Sequence, residues 1–118
     1  MKLAYARIFV RDLDLAVSFY GETLALKQLW RNDQDGHAGF DGEGCTLIVE
    51  RITPEEDDEG ASGRFTGFSF QVPNIEEVYR RLSNQGVRFT QPSRKMEWGG
   101  ILAYFNDPEG NVIGLVGQ

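Results

Sequence analysis

The chain has 118 residues, of which 41% are apolar, and a formal net charge of −6 at pH 7. This length and composition are typical of one compact domain with a hydrophobic core, and they exclude a disordered or low-complexity chain. The negative charge argues against a nucleic-acid partner, because phosphate binding requires a basic surface. No apolar run is long enough to span a membrane, and the first residues lack the pattern of a secretion signal. We therefore expect a cytoplasmic protein without a membrane or nucleic-acid partner.

The first part of the chain predicts a βαβββ unit over residues 1–51. Apolar residues alternate over 3–10, which predicts a strand. They then recur at helical spacing from Leu13 to Leu24, behind Asp12, a residue type that caps helices. Three further strands are predicted, over 27–31, 37–40 and 45–51.

Residues 52–64 show no apolar periodicity and predict a linker. They contain Pro54 and an acidic run over 55–59. Such a run is typical of a solvated loop, although it could also serve a partner-binding protein as its contact surface.

The βαβββ pattern restarts over residues 65–118. A strand is predicted over 66–72, and a helix follows with Asn74 as its cap, Glu77 three residues later and Gly86 just beyond its end. The remaining strands are predicted over 87–90, 99–106 and 111–116. Between the last two strands, the residue types of Asp107-Pro108-Glu109-Gly110 predict a type I turn.

The two parts repeat one pattern, in which Val72 and Ile75 correspond to Val10 and Leu13. Neither part can bury a sufficient core alone, so we expect a single α+β domain of two tandem βαβββ units, with a curved mixed sheet around a cup-shaped cavity. Strand alternation places one set of side chains under the helices, namely Ala6, Ile8, Phe68 and Phe70. The alternate set faces the cavity, namely Tyr5, Arg7, Phe9, Gly67, Ser69 and Gln71.

Two motifs carry a resemblance to a known family. V-R-D-L-D-L-A-V-S-F-Y opens the first helix, and D-P-E-G-N precedes the last apolar strand. With the tandem units, they resemble the vicinal oxygen chelate superfamily of glyoxalases, bleomycin-resistance proteins and dioxygenases. This resemblance implies the fold, but it does not select one activity, because the superfamily includes both enzymes and proteins that only bind drugs.

The resemblance also implies where a metal would be bound. The ligand positions of the metal enzymes match Tyr5, Glu50, Gly67 and Gly114, and of these only Glu50 is a usual ligand type. We therefore predict no metal and no cofactor. His37 is the one histidine of the chain, which excludes an iron site of two histidines and one carboxylate. Its polar neighbours predict an exposed loop residue.

Several residues are candidates for a small-molecule site. Arg7 and Glu50 either pair with each other, or Arg7 binds the ligand and Glu50 acts as a general base. Trp98 is predicted at the mouth of the cavity, where its ring would stack on a ligand, whereas for Trp30 packing in the core or a dimer interface is favoured over stacking on a ligand. Tyr104 matches a substrate-contacting tyrosine of fosfomycin-modifying relatives, or it is an ordinary strand residue. The predicted ligand-binding set is Tyr5, Arg7, Phe9, Ser69, Gln71, Trp98 and Tyr104, with Glu50 as the candidate catalytic residue.

These observations predict a homodimer that binds a small, partly planar organic molecule without transforming it. The alternative is a metal-dependent lyase, isomerase or dioxygenase of the same superfamily whose ligands have moved. A third possibility is a non-catalytic protein that binds a partner through the acidic run.

Overall fold

The chain folds as two units of similar architecture, Met1–Arg64 and Phe65–Gln118, in a computed structural model. The structure describes residues 1–58 and 60–117. Glu59 of the acidic run and Gln118 at the end of the second predicted unit lie outside the described residues. The segment 52–64 clusters with the first unit.

The first unit contains a four-stranded mixed sheet. Its strands lie in the order β1-β4-β3-β2, with β1 parallel to β4 and the other pairs antiparallel. This is the architecture predicted for a βαβββ unit. The strands are β1 Tyr5–Val10, β2 Gln28–Asn32, β3 His37–Asp41 and β4 Thr46–Arg51.

The helix of the first unit is α1, Leu13–Ser18, and its predicted cap is confirmed. The Asp12 carboxylate accepts a hydrogen bond from the Leu15 N–H at 3.0 Å. The predicted helical span continues from Phe19 to Thr23, but as a π-helical turn and not as α-helix. This wider turn accompanies the burial of two consecutive aromatic residues, Phe19 and Tyr20.

The predicted linker is not without structure, because Pro54–Asp58 forms a second helix, α2. The Thr53 hydroxyl accepts from the Glu56 N–H, and the Glu56 carboxylate accepts from the Thr53 N–H, both at 3.2 Å. This reciprocal arrangement is a capping box, and Pro54 occupies the first helical position, where it is tolerated. The prediction of a loop was wrong here. It was based on the missing apolar periodicity and did not take the capping box of Thr53 and Glu56 into account.

The second unit repeats the arrangement, with strands in the order β5-β8-β7-β6 and β5 parallel to β8. Its strands are β5 Phe65–Gln71, β6 Phe89–Lys95, β7 Ile101–Asn106 and β8 Val112–Gly117. Strand β6 runs further than the predicted 87–90, through Pro92. A proline is tolerated there because β6 is an edge strand that pairs only with β7, and the register shifts between Gln91 and Arg94.

Helix α3, Ile75–Asn84, has both of its predicted ends. Asn74 Oδ1 accepts from the Glu77 N–H at 3.2 Å. At the other end, Gly86 has φ +88, and the Val87 N–H donates to the Leu82 carbonyl at 3.0 Å. This closure is a Schellman motif, which requires a left-handed residue at the position of Gly86.

The predicted turn joins β7 and β8. The Gly110 N–H donates to the Asp107 carbonyl at 3.0 Å, and Asp107 Oδ1 accepts from the N–H groups of Glu109 and Asn111, each at 2.9 Å. Asp107 is 4% exposed and Asn111 1% exposed, so these bonds satisfy buried polar groups. Within the described part of the chain, no helix is both long and apolar enough to cross a membrane.

Candidate functional site

In each unit, one side of the sheet carries the most deeply buried strand side chains, and we call the opposite side the open face. In β1, Ile8 is 2% exposed and Val10 is fully buried, whereas Tyr5 is 58% exposed. The predicted alternation in β1 therefore agrees with the structure. In β5 the same alternation holds, with Phe68 and Phe70 half-buried and Ser69 and Gln71 exposed.

On the open face of the first unit, Arg7 and Glu50 pair with each other. Arg7 Nη1 lies 2.6 Å from Glu50 Oε1, and the two side chains are 49% and 31% exposed. Strand register explains the contact, because Phe9 lies opposite Glu50 and Arg7 is two residues before Phe9 on the same face. The sequence left open whether Arg7 and Glu50 pair with each other or serve a ligand, and in the structure they form an ion pair.

Trp30 and His37 form a second pair on this face. Trp30 Nε1 donates to His37 Nδ1 at 2.9 Å, and the rings meet edge to face with centroids 6.2 Å apart. The prediction that His37 is an exposed loop residue was wrong, because it is half-buried and begins β3, opposite Glu50. Since Nδ1 accepts a hydrogen bond, the neutral imidazole carries its proton on Nε2.

The indole ring of Trp30 packs against Gly39, which has no side chain. A Cβ at Gly39 would lie only 2.2 Å from Trp30 Cζ3, so the indole ring occupies the space over this glycine. The polar groups of Arg7, Glu50, Trp30 and His37 thus bind one another across adjacent strands.

The residues that match the superfamily's metal ligands do not fit a divalent ion. Glu50 is engaged by Arg7 at 2.6 Å. Gly67 has φ +83, which side-chain-bearing residues rarely adopt, and a Cβ at Gly114 would lie 2.1 Å from Ser69 Oγ. Among residues 1–58 and 60–117, no three His, Cys, Asp or Glu side chains are grouped to hold a metal.

On the open face of the second unit, three strands align Ser69, Gly114 and Tyr104. Ser69 lies opposite Gly114 across β5 and β8, and Tyr104 lies opposite Gly114 across β7 and β8. The ring of Phe65 meets that of Tyr104 at a centroid distance of 5.6 Å and an angle of 65°. Gly114 itself is buried, and the Ser69 hydroxyl fills the space that a side chain at residue 114 would occupy.

Phe65 was missed because the predicted strand began one residue later. Alternation from Ser69 would have assigned it to the open face if β5 had been extended by that one position. His37 was missed as part of this face for a different reason: the strand over 37–40 was predicted, but the polar neighbours of His37 led to its assignment as an exposed loop residue.

Trp98 lies in the turn between β6 and β7 and is 61% exposed. Its ring covers Gly100, where a Cβ would lie 1.7 Å from Trp98 Cζ3. Beside it is a pocket of about 340 Å³, lined by Gln71, Val72, Pro73, Trp98, Val116 and Gly117. The structure thus brings two of the predicted ligand residues, Gln71 and Trp98, to one pocket.

A larger pocket, of about 410 Å³, lies in the first unit and was not predicted. Arg31 lines it and donates to the carboxylates of Asp14 and Asp33. These bonds, first the one to Asp14 and then the one to Asp33, raise the pKa of Arg31. One guanidinium therefore lies between two carboxylates, and the three side chains keep a net negative charge. Its lining is Asp14, Val17, Ser18, Gly21, Glu22, Leu26, Gln28 and Arg31.

Comparison with known proteins identifies the family. The model of the Glyoxalase/Bleomycin resistance protein/Dioxygenase superfamily matches residues 2–115. The protein YraH of Bacillus subtilis (strain 168) is 30% identical, with 96% of this chain and 95% of the relative covered. A superfamily member from Sphaerobacter thermophilus DSM 20745 is 31% identical, with a TM-score of 0.83 and coverage of 100% and 98%. TnmS3, an antibiotic binding protein from Streptomyces sp. CB03234, is 25% identical, with a TM-score of 0.82 and coverage of 99% and 95%. The chain belongs to the Glyoxalase/Bleomycin resistance protein/Dioxygenase superfamily.

Proposed function

We propose that the protein binds a small, partly planar organic molecule without transforming it, and that Trp98 is the main contact. The observation that carries this proposal is Trp98, a residue 61% exposed, at the edge of a pocket of about 340 Å³. Small-molecule sites are concave and mostly apolar, with a few polar groups that orient the ligand. Here Val72, Pro73 and Val116 supply apolar surface and Gln71 supplies an amide.

The likeness to TnmS3 supports binding rather than catalysis. That protein is described as an antibiotic binding protein, and its sequence is 25% identical to this one over nearly the whole chain. Among residues 1–58 and 60–117, those that line the Trp98 pocket include no acid, base or nucleophile. A pocket without such groups can hold a ligand but lacks the means to transfer a proton or form a covalent bond.

Metal-free binding is part of the proposal. It is supported by Gly67 and Gly114, which have no side-chain donor atoms, and by the engagement of Glu50 with Arg7. Elemental analysis of protein expressed with added Ni²⁺, Zn²⁺ and Mn²⁺ tests this. About one metal per chain would contradict the proposal and favour the metal-dependent lyase, isomerase or dioxygenase.

Binding is tested through the fluorescence of Trp98. The chain has two tryptophans, so a Trp30→Phe background leaves Trp98 as the single reporter. We expect planar antibiotics or metabolites in a panel to quench it, and Trp98→Ala to lose ~2 kcal/mol of binding free energy by calorimetry. Leu15→Ala, an exposed residue of α1, is the matched control and should bind as the parent does. Quenching by no member of a broad panel would contradict the proposal.

Catalysis and partner binding are separated by two further variants. Turnover of a panel member by the metal-free protein, abolished by Glu50→Gln, would show an enzyme with Glu50 as its base. In the second variant, Glu55, Glu56 and Asp58 are replaced by glutamine. If this variant still binds the ligand, the acidic run is not the functional surface. All three are exposed, so their replacement should leave the fold intact.

Oligomeric state and location remain predictions. We expect a homodimer in light scattering at micromolar concentration, and a monomer there would contradict it. Fractionation of cells that express the protein should recover it with the cytoplasm. Tyr5, Arg7 and Phe9, on the open face of the first unit, also remain predicted ligand contacts.

A further inference from the structure

Charged side chains are scarce in the sheet of the second unit. Its four strands, all within the described residues, carry two of them, Arg94 and Lys95, and both are cationic. Successive residues of a strand point to opposite sides of the sheet. One cation therefore lies on each side, and the strands supply no carboxylate that could neutralise it.

Strand register assigns Arg94 to the open face. It lies opposite Leu102, and Leu102 lies opposite Val116, which lines the Trp98 pocket. Side chains that lie opposite each other on neighbouring antiparallel strands are on the same side of the sheet. Neighbouring strands are about 4.8 Å apart, so the Cα atom of Arg94 is about 10 Å from that of Val116.

Lys95 lies on the other side of the sheet. It is opposite Ile101, and Ile101 is opposite Gly117, where a Cβ would lie 3.1 Å from the Cβ of Ile75 in helix α3. Lys95 therefore shares the helix side of the sheet. Because Arg94 and Lys95 are adjacent and both exposed, Lys95 provides a matched control for any effect of charge at Arg94.

The side chain of Arg94 extends toward the turn that carries Trp98. Its Nη2 lies 3.9 Å from Sδ of Met96, and the Met96 N–H donates to the Gly100 carbonyl at 2.7 Å, which closes this turn. A thioether sulfur is only a weak acceptor. Within the described residues Arg94 forms no ion pair, although Glu97 belongs to the same turn. Most of the guanidinium donors therefore have no acceptor in this part of the protein.

We propose that Arg94 selects a ligand that carries a carboxylate, which the guanidinium binds while the rest of the molecule lies in the Trp98 pocket. The planar guanidinium matches a carboxylate through two parallel hydrogen bonds. The described residues that line the pocket are uncharged, so Arg94 supplies a charge discrimination that the lining lacks. This inference rests on the proposed function and specifies the charge of its ligand.

Three probes with the same ring system and different charges test the proposal by calorimetry. They are 2-naphthoate, 2-naphthamide and 2-(aminomethyl)naphthalene, which carry a carboxylate, a neutral amide and an ammonium group. We expect the parent to bind 2-naphthoate about fivefold more tightly than 2-naphthamide, since an ion pair at an exposed site contributes little. The ammonium probe should bind more weakly than either. Because the ring is common to all three, its contribution cancels in the comparison.

Two variants that each remove one positive charge locate the effect. Arg94→Gln should abolish the preference for 2-naphthoate over 2-naphthamide, whereas Lys95→Gln should retain it. Both residues are exposed, so the variants should fold as the parent does. Circular dichroism and the denaturation midpoint check this.

The outcomes separate this inference from the function on which it rests. Equal affinity of the parent for 2-naphthoate and 2-naphthamide, or equal loss of the preference in Arg94→Gln and Lys95→Gln, would refute the role of Arg94. The Trp98 pocket would still stand if Trp98→Ala weakened all three probes. If Trp98→Ala weakens none of them, the proposed function is refuted, and the role of Arg94 is decided by Arg94→Gln alone. Failure of all three probes to bind the parent would also refute the inference.

Discussion

The open faces of the two units differ in how their polar and aromatic groups are used. On the first face, Arg7 pairs with Glu50 at 2.6 Å, and Trp30 donates to His37 at 2.9 Å. On the second face, within the described residues, Trp98 has no hydrogen-bond partner and is 61% exposed. A donor or acceptor that is already used within the protein has less to gain from a ligand, whereas the exposed Trp98 ring loses only water when a ligand covers it. The comparison therefore directs the search for the ligand to the second face.

Each tryptophan covers a glycine, which allows a matched comparison. A Cβ would lie 2.2 Å from the Trp30 ring at Gly39 and 1.7 Å from the Trp98 ring at Gly100. A new methyl group would clash with either ring, but the two rings differ in how freely they can move away from it. Trp30 is half-buried and hydrogen-bonded, while Trp98 lies in an exposed turn.

The largest effect should come from Gly39→Ala, which we expect to lower the free energy of unfolding by ~2 kcal/mol. The new methyl group must displace a ring that is held by His37 within the sheet. Chemical denaturation measures the change, and the double variant with Trp30→Ala is the control. If the cost of Gly39→Ala persists when Trp30 is absent, the clash with its ring is not the cause.

Gly100→Ala should act on binding instead of folding. We expect the Trp98 ring to swing away, so that affinity for a quenching ligand falls about tenfold, equivalent to ~1.4 kcal/mol. The free energy of unfolding should change by less than ~0.5 kcal/mol. Calorimetry and denaturation on the same sample measure both. A stability loss as large as that of Gly39→Ala would remove the contrast between the two rings.

Trp30→Phe should cost ~1 kcal/mol of stability, because His37 Nδ1 loses its donor while most of the ring packing remains. Ligand affinity at Trp98 should not change. An affinity loss equal to that of Trp98→Ala would show that the first face also takes part in binding, and it would support the predicted contacts Tyr5, Arg7 and Phe9.

The smallest effect is expected for the Arg7 and Glu50 pair. A double-mutant cycle with Arg7→Ala and Glu50→Gln should give a coupling of ~0.5 kcal/mol in unfolding, because both side chains are partly exposed. The coupling should decrease as salt is added. A coupling above ~2 kcal/mol would mean that the pair is a principal structural element of this face.

Local sequence signals predicted much of the fold. Asp12 and Asn74 cap their helices, Gly86 ends α3 in a left-handed conformation, and Asp107 organises the last turn, as their residue types indicated. Each of these depends on atoms a few residues apart, so the chain specifies it before any tertiary contact forms. The same reasoning could have found α2, since Thr53 and Glu56 form its capping box.

The composition of the candidate site was predicted only in part. Alternation assigned Tyr5, Arg7, Ser69 and Gln71 to one side of their strands, because the period of a strand is a local property. It could not assign Phe65 without the correct start of β5. It also could not show that His37 and Trp30 meet, because that depends on how β2 and β3 are aligned.

By itself, the sequence determined the two βαβββ units, the caps and turns between their elements, and the side of each strand that a residue occupies. Tertiary structure decided which of those side chains meet. Arg7 and Glu50 are 43 residues apart and pair because β1 lies beside β4, and Phe65 of β5 reaches Tyr104 of β7 across the intervening strand β8. Such contacts depend on strand order and register, which arise from the packing of the whole unit and are not written in any short stretch of chain.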